Sequence, residues 1–447
     1  MLNHIAGNMK IDIQSKQNLS AGSYIDLVLV AVVMQIIFFI TTIWFGTIGS
    51  DYYVLNGDEV RYTIRMQIGL GWMMCIIAGL GFGILPLIYD VKTFEKSVMR
   101  TYLTMNIFGQ LAISLGIISK DVATYQTLAT IGMTLLCSSL ICLGPSALVI
   151  FKSKKINQDK VGLFSNTTGI ILPILGLFTL SCWIGRKTYP NLLDYSESLI
   201  FDFFIPLAVV AIIISHVNRR LDWKIIKSEN LTKVFVCFTI LLLLAIIGGP
   251  LNERGDISSR LYSLLLILPY TLIFIIMRPL EILSCIKQRK PYNRMVLTAL
   301  FWIPVVGIAA FLENAGHVTT NDNMMAYYRL ILIFGVASQA LWGFTIYLHD
   351  DHKKLSIHRR KTNWLIYSSL NIGSIITFLT MIVSWKQGEP IDVYPRIGIL
   401  MYVLSFVLIS LNWIKDIFFS LDDWHTVPMY YDQYLEYPKE GSGFEPE

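Results

Sequence analysis

Twelve long apolar segments divide this chain of 447 residues, and this feature limits its fold more than any motif does. A helix needs about 20 apolar residues to cross the hydrocarbon core of a bilayer, and most of the segments are long enough. The apolar fraction is 54% and charged residues are 15%, a balance far from that of a water-soluble domain. The sequence therefore predicts an all-α, polytopic membrane protein with twelve transmembrane helices. We number the segments one to twelve, and they span residues 27–49, 66–89, 101–119, 122–151, 162–185, 198–217, 234–250, 261–285, 295–312, 326–348, 363–385 and 397–415.

The basic residues lie mainly on alternate sides of these segments. Runs of Lys and Arg occur within residues 152–160, 219–227, 287–294 and 353–361, which all follow even-numbered segments. Since cytoplasmic loops carry an excess of Lys and Arg, both termini are predicted to be cytoplasmic, in a plasma-membrane protein. We expect a cytoplasmic N-terminal segment at 1–26, a single transmembrane domain at 27–415 and a cytoplasmic tail at 416–447. Segment one is too long for a cleaved signal peptide and is interpreted as a retained span.

Two of the segments share one pattern of residues. Segments two and ten both read R-x5-G-x7-G, in Arg65, Gly71 and Gly79 and in Arg329, Gly335 and Gly343. The following segment carries an asparagine–isoleucine pair in both cases, at Asn106 and at Asn371. Glycines at this spacing lie roughly on one helix face and let a neighbouring backbone approach. Because segment two matches ten and not eight, the pattern predicts three modules of four helices, with the middle module diverged.

The order of residues in segments two and ten is similar to that in the corresponding helices of a known family. In segment two, Gly71 and Trp72 precede a glycine-rich stretch at 78–81 and the Leu-Pro pair at 85–86. In segment ten, residues 328–331 lead into Phe-Gly-Val at 334–336. With twelve helices in three four-helix arcs, the chain resembles subunit I of the heme–copper oxidase and nitric oxide reductase superfamily. Along the whole chain the resemblance is limited to the number and arrangement of the predicted helices. Similar residues occur only in segments two, three and ten.

The chain departs from this family at the metal ligands. The family binds its hemes and copper through histidines inside helices two, six, seven and ten. Tyr328 and Leu330 stand where helix-ten histidines would fall, and Met66 stands near the expected helix-two ligand. Segment seven has no histidine, and His216 lies at the predicted cytoplasmic end of segment six. A His-Asp-Asp-His run at 349–352 is interpreted as a solvated loop. The resemblance therefore implies the family's fold without its metals, and we expect no cofactor and no metal site.

Few ionisable residues lie within the segments, and burying such a residue is costly enough to indicate a function. Asp202 lies about one turn into segment six, near Glu197, and Glu313 closes segment nine at the predicted outer face. Arg65 and Arg329 open segments two and ten at the same face, although an arginine at a helix N-terminus opposes the helix dipole. Snorkelling to the outer headgroups is the explanation we favour for the arginines. The alternative is a ligand mouth, for which Arg65, Arg329, Asp202 and Glu313 are the candidates.

Uncharged polar residues also lie within the predicted bundle. Asn106 and Gln110 are one helical turn apart in segment three, and Ser338 and Gln339 are adjacent in segment ten. A proton path normally needs carboxylates at membrane depth. We therefore expect Asn106, Gln110 and Gln339 to form hydrogen bonds between helices.

No sequence motif assigns a reaction to the chain. The loops contain no phosphate-binding loop, zinc motif, nucleophile elbow or paired catalytic carboxylates, so we nominate no catalytic residue and do not expect an enzyme. The leading interpretation is a non-redox protein, either an accessory subunit of a membrane complex or a small-solute binder that uses the vacated heme cavity. Two alternatives stay open: a secondary transporter, although residues 90–96 lack the signature of the major facilitator group, and a heme-binding oxidoreductase with a non-standard ligand. The expected partners are the lipid bilayer and other membrane subunits, without nucleic acid.

Overall fold

A computed structural model describes residues 57–75, 77–78, 96–119, 121–144, 160–220, 228–248, 256–277, 291–315, 326–343, 358–387 and 393–419. Every regular element in these ranges is a helix, which confirms the all-helical prediction for this part of the chain. Segment one, the N-terminal region 1–26 and nearly all of the tail 416–447 lie outside the described residues.

The helices follow predicted segments two to twelve, and three of the segments include a stretch of π-helix. In chain order they are Gly57–Met66 with the π-helix Gln67–Met73 (segment two), Lys96–Ser119 (three), Val122–Cys142 (four), Lys160–Gly185 (five), Leu192–Ser198, the π-helix Leu199–Phe204 and Ile205–Arg220 (six), Ser228–Gly248 (seven), Asp256–Met277 (eight), Pro291–Ala315 (nine), Tyr327–Leu330 with the π-helix Ile331–Ser338 (ten), His358–Gln387 (eleven) and Val393–Phe419 (twelve).

The outer surface of the bundle is apolar. Large exposed side chains include Leu115, Ile184, Ile275 and Leu400. Among the described residues, four helices are long and apolar enough to cross a membrane: Arg100–Ser119, Val122–Cys142, Arg294–Glu313 and Lys361–Ser384. An apolar surface of this extent suits lipid and not water. Together these observations suggest an integral membrane protein.

Segments two, six and ten form the inside of the bundle. Nearly all of their described side chains near the π-helices are buried, as expected for helices that are apolar on every face. The π-helix of segment two contacts that of segment six, and segment six contacts the π-helix of segment ten. The same ends of these three helices therefore lie close together.

The surrounding helices pack mainly against their neighbours in the chain. Segments three and four approach most closely at two glycines, because a Cβ atom on Gly132 would lie 2.6 Å from the carbonyl oxygen of Gly109. Segments eleven and twelve meet in a similar way, since a Cβ atom on Gly373 would lie 3.0 Å from the carbonyl oxygen of Gly398. Small residues at helix crossings allow the close backbone packing on which membrane helices rely.

Candidate functional site

Four charged side chains meet where the three inner helices begin. The Nη1 atom of Arg65 donates to both carboxylate oxygens of Glu197, at 3.1 and 3.0 Å. The Nη1 atom of Arg329 donates to the Oε1 atom of the same Glu197. Arg329 also contacts Asp202, with Nη2 2.6 Å from Oδ2 and Nε 3.0 Å from Oδ1. We call Arg65, Glu197, Asp202 and Arg329 the charge cluster, and it joins segments two, six and ten.

The charge cluster is buried and electrically balanced. Glu197 is 2% exposed and Asp202 is 1% exposed. The side chain of Arg329 is 12% exposed, and that of Arg65 is 22% exposed. A buried ion is stable only when an opposite charge and hydrogen bonds replace the water that it loses. Two guanidinium groups and two carboxylates meet this requirement within the cluster.

Neutral side chains hold two members of the charge cluster in place. The hydroxyl of Tyr328 donates to Asp202 Oδ1 at 2.9 Å. The Nη2 atom of Arg329 donates to the hydroxyl of Ser198 at 3.1 Å. Asp202 therefore accepts hydrogen bonds from two consecutive residues of segment ten, which fixes that helix against segment six.

Glu313 lies close to the charge cluster and has a different role. Its two carboxylate oxygens accept hydrogen bonds from the backbone N–H groups of Tyr327 and Tyr328, both at 3.2 Å. A carboxylate at this position satisfies free N–H groups and interacts favourably with the helix dipole. Glu313 therefore caps the helix that carries Arg329.

The four ligand-mouth candidates are thus only partly brought together. Arg65, Arg329 and Asp202 belong to the charge cluster, whereas Glu313 binds the backbone beside it. The favoured explanation for the arginines, snorkelling to headgroups, does not describe either residue. Both side chains instead turn towards carboxylates of segment six, which the fold brings within hydrogen-bonding distance.

A pair of amides links segments two and three. The side chain of Gln110 donates to the backbone oxygen of Gln67 at 3.0 Å, and the side chain of Gln67 donates to the backbone oxygen of Gln110 at 3.1 Å. The side chain of Asn106 donates to the backbone oxygen of Leu70 at 3.2 Å. Both acceptors on segment two belong to its π-helix, where the regular α-helical ladder is interrupted. Side-chain donors therefore satisfy backbone groups that cannot reach water at this depth.

A second polar group links segments nine, ten and eleven. The side-chain oxygen of Asn371 accepts from Gln339 at 3.0 Å and from the indole N–H of Trp302 at 2.8 Å. The amide nitrogen of Asn371 donates to the backbone oxygen of Tyr367 at 2.8 Å. The structure thus places all three predicted polar residues, Asn106, Gln110 and Gln339, in contacts between helices.

A cavity of about 530 Å³ lies beside the charge cluster, and we call it the vestibule. Arg65 and Glu197 of the cluster form part of its wall. Most of the remaining lining residues are charged or polar and come from segments two, four, five and six and from the connection between five and six. The charged lining residues are Arg61, Arg65, Arg186 and Lys187 together with Asp58, Glu59, Asp194 and Glu197.

A second buried pair of opposite charges lies in the vestibule wall. The Nε atom of Arg186 is 3.5 Å from the Oε1 atom of Glu59, and these side chains are 6% and 14% exposed. The guanidinium of Arg186 stacks on the ring of Trp183, 3.7 Å from its centroid, and donates to the backbone oxygen of Trp183 at 2.7 Å. The stacking and the backbone contact hold Arg186 at the end of segment five.

Sequence reasoning did not nominate Glu197, Glu59 or Arg186. The equal spacing of Glu197 from the two arginines could have identified it, since it lies 132 residues after Arg65 and 132 residues before Arg329. Glu59 and Arg186 lie outside the apolar segments, so their burial depends on the packing of helix ends and has no counterpart in the hydropathy pattern.

Aromatic side chains pack closely around the inner helices. Trp72 of segment two contacts Phe406 of segment twelve, with ring centroids 4.7 Å apart, and Phe334 of segment ten contacts the same ring at 5.2 Å. A Cβ atom on Gly69 would lie 2.9 Å from the ring of Phe201, so aromatic side chains also fill the space between segments two and six. Among the described residues, no three His, Cys, Asp or Glu side chains are grouped to hold a metal ion. The expected lack of a cofactor stays a prediction.

No protein-family model matches the chain, and no curated protein matches it either.

The contact between Gly71 and Gln110 generates a prediction about stability. A Cβ atom on Gly71 would lie 1.3 Å from the Nε2 atom of Gln110. Gly71→Ala must displace this amide and break its hydrogen bond with Gln67, at a cost of about 1–3 kcal/mol. In a Gln110→Ala background the same substitution should cost little. Thermal unfolding of the single and double variants in detergent measures this coupling, and additive losses would contradict the predicted contact.

The charge cluster generates a second prediction. Glu197→Gln removes the negative charge shared by two guanidinium groups, and breaking a buried ion pair in this way costs about 3–5 kcal/mol. Asp58→Asn makes the same chemical change at a side chain that is 92% exposed and should leave stability unchanged. The measurement is the unfolding midpoint in a denaturant titration of the purified protein.

A further variant separates charge from packing in this experiment. Adding Arg65→Gln to Glu197→Gln restores the balance of charge and should recover part of the lost stability. Equal midpoints for Glu197→Gln and Asp58→Asn would show that the charge cluster does not stabilise the bundle.

Proposed function

We propose that the chain is a twelve-helix membrane protein built from three four-helix modules, and that it binds a small polar solute in the vestibule. The modules are segments one to four, five to eight and nine to twelve. The vestibule opens on the predicted outer side, and both termini are cytoplasmic in this proposal. The proposed protein performs no redox chemistry.

Equal spacing along the chain supports the three modules. Arg65, Glu197 and Arg329 are separated by two intervals of 132 residues, and both arginines contact Glu197 in the structure. A π-helix follows each of them, beginning at Gln67, Leu199 and Ile331 respectively. Residues at equivalent positions in a repeat meet around a common axis, as these three do.

The contacts of the surrounding helices support the same interval. Gly109 packs on segment four and Gly373 packs on segment twelve, each against the backbone of a glycine. Gly373 follows Gly109 at twice the interval that separates Arg65 from Glu197.

The middle module lacks the glycine motif for a physical reason. In the proposed register, Phe203 and Ala211 take the places of the two glycines of segments two and ten, and Glu197 takes the place of the arginine. Larger side chains in one module fill the space that glycines leave in the others, as Phe201 does at Gly69. One acidic residue among three equivalent positions also prevents three arginines from facing one another.

The resemblance to oxidase subunit I enters this proposal only as a plan of helices. Three four-helix modules are what that resemblance implies, and the interval of 132 residues supports them. The proposal does not include the family's heme chemistry, because aromatic side chains pack around Trp72 and Phe334. An accessory role in a membrane complex stays a prediction.

The single observation that carries solute binding is the charged wall of the vestibule. Its volume of about 530 Å³ lies within the usual range for small-molecule sites, which is roughly 300–1,000 Å³. Four basic and four acidic residues line it, which is more charge than small-molecule sites usually have. The wall therefore favours a small solute that carries charge.

Transport of that solute is a second candidate function. One wall of the vestibule is formed by Arg65 and Glu197, whose ion pair joins segments two and six. A charged solute that competes for either residue would weaken this contact and, through Arg329, the contact with segment ten. Accumulation of labelled solute in proteoliposomes, beyond binding, would assign transport.

The proposed topology predicts which introduced cysteines react in intact cells. Asn191→Cys lies in the vestibule wall and should react with a membrane-impermeant maleimide from outside. Ser356→Cys, within the basic run 353–361, should react only after permeabilisation. Labelling is measured above the background of the six native cysteines. Reaction of Ser356→Cys in intact cells would reverse the orientation.

Solute binding is tested with a variant that fills the vestibule. We expect at least one class in a panel of carboxylates, amines, amino acids and sugars to raise the melting temperature of the purified protein. Leu193→Trp places a large ring in the vestibule wall and should abolish the shift. Leu115→Trp, on the exposed apolar surface, is the matched control and should retain it. A shift that persists in Leu193→Trp, or no shift with any class, would overturn the proposed function.

A further inference from the structure

We infer that the vestibule binds a small zwitterion whose positive and negative groups are close together, as they are in an α-amino acid. This inference rests on the proposed function, because it names the class of solute for the same cavity. It starts from the pair formed by Glu59 and Arg186.

This pair is incomplete in a way that the charge cluster is not. The Nε atom of Arg186 and the Oε1 atom of Glu59 are 3.5 Å apart, but the geometry does not make a hydrogen bond. In the described part of the chain, neither Arg186 Nε nor Glu59 Oε2 has a hydrogen-bond partner, although both atoms are buried. One donor and one acceptor are thus left without partners in the vestibule wall.

Leaving such groups without hydrogen bonds is costly, because each has lost water without gaining a hydrogen bond in the protein. Arg186 cannot easily turn away, since its guanidinium is stacked on Trp183 and bonded to the Trp183 carbonyl. The opposite charges of the pair hold the donor and the acceptor side by side. Because neither atom reaches solvent in the ligand-free protein, a ligand in the vestibule must shift the pair slightly to reach them, and the two hydrogen bonds that it adds favour this shift.

The two charges select among classes of ligand. A simple anion at Arg186 would lie beside the carboxylate of Glu59, and a simple amine at Glu59 would lie beside the guanidinium of Arg186. Both arrangements place like charges next to one another in a partly buried site, which is unfavourable. A zwitterion places its carboxylate at Arg186 and its ammonium group at Glu59, and it adds no net charge to the balanced wall.

The short distance within the pair selects the spacing of the ligand's charges. Because Arg186 Nε and Glu59 Oε1 are 3.5 Å apart, the ligand's two charged groups must also be neighbours. An α-amino acid meets this condition, whereas an extended ω-amino acid does not. Leu193 in the same wall provides apolar surface for a side chain.

Two isomers test the inference without a change in composition. Norleucine and 6-aminohexanoate contain the same atoms and both charges, and they differ in how far apart the charges are. Hexanoate and hexylamine each carry one of the charges. Binding of the four compounds to the full chain in lipid nanodiscs is measured by isothermal titration calorimetry. We expect norleucine to bind at least about tenfold more tightly than the other three, which corresponds to about 1.4 kcal/mol.

Variants of the pair test whether the binding occurs at this place. Glu59→Gln and Arg186→Gln should each weaken norleucine binding by about tenfold or more, as expected for the loss of a charged hydrogen bond. Asp121→Asn removes an exposed carboxylate that does not line the vestibule and keeps an oxygen for the N–H group of Thr124, so it should change the affinity less than twofold. Arg186→Lys keeps the charge without the planar fork and should give an intermediate affinity, which separates a binding role from loss of folding.

The outcomes separate this inference from the proposed function. Tightest binding of hexanoate, hexylamine or 6-aminohexanoate, abolished by Leu193→Trp, would overturn the zwitterion and leave a solute-binding vestibule. Norleucine binding that is unchanged in folded Glu59→Gln and Arg186→Gln would overturn the assigned site. A lack of binding by all four compounds, with another class still shifting the melting temperature, would also reject the zwitterion alone.

Discussion

The position of Arg329 is the constraint on which the inner bundle depends. A buried guanidinium needs negative charge on the groups around it, and Arg329 obtains it from Glu197 and Asp202, both on segment six. Glu197 is in turn shared with Arg65 of segment two. One helix that carries two acids is therefore bound by two helices that each carry an arginine. This arrangement fixes the rotation and depth of all three helices, because a shift of any one would separate a buried pair.

The π-helices fit the same constraint. Apolar side chains alone do not fix how an inner helix is rotated or shifted relative to its neighbours. Polar contacts must therefore set the register between inner helices. A π-helix breaks the repeating hydrogen bonds of the backbone, and side chains such as Gln110 and Asn106 then supply donors from segment three. The interruption thus becomes an attachment point between helices. Local irregularity of this kind is common at functional sites, and here it lies next to the charge cluster.

Hydropathy and a glycine pattern predict much of the helix plan, because burial in lipid requires long apolar runs. Segments two to twelve all contain helices in their described parts. The pattern R-x5-G-x7-G links segments two and ten but misses segment six, where Phe203 and Ala211 take the places of the glycines in the proposed register. The sequence around the two arginines favours snorkelling, because their acidic partners lie in another segment and cannot be recognised from it. Nor does the apolar periodicity reveal a π-helix, since apolar residues surround these helices on all sides.

In the proposed three-module plan, the divergence of the middle module explains why the vestibule lies on one side of the charge cluster. Asp202 and Tyr328 close the contact between segments six and ten, where Arg329 is bound on two sides. Arg65 is more exposed than Arg329 and forms part of the vestibule wall. In three identical modules, charges of the same sign would meet at the axis and repel. In the proposed plan, the glutamate of the middle module removes this repulsion and also makes the interfaces unequal. A second acid, Asp202, closes one interface, while the other stays open to the proposed solute.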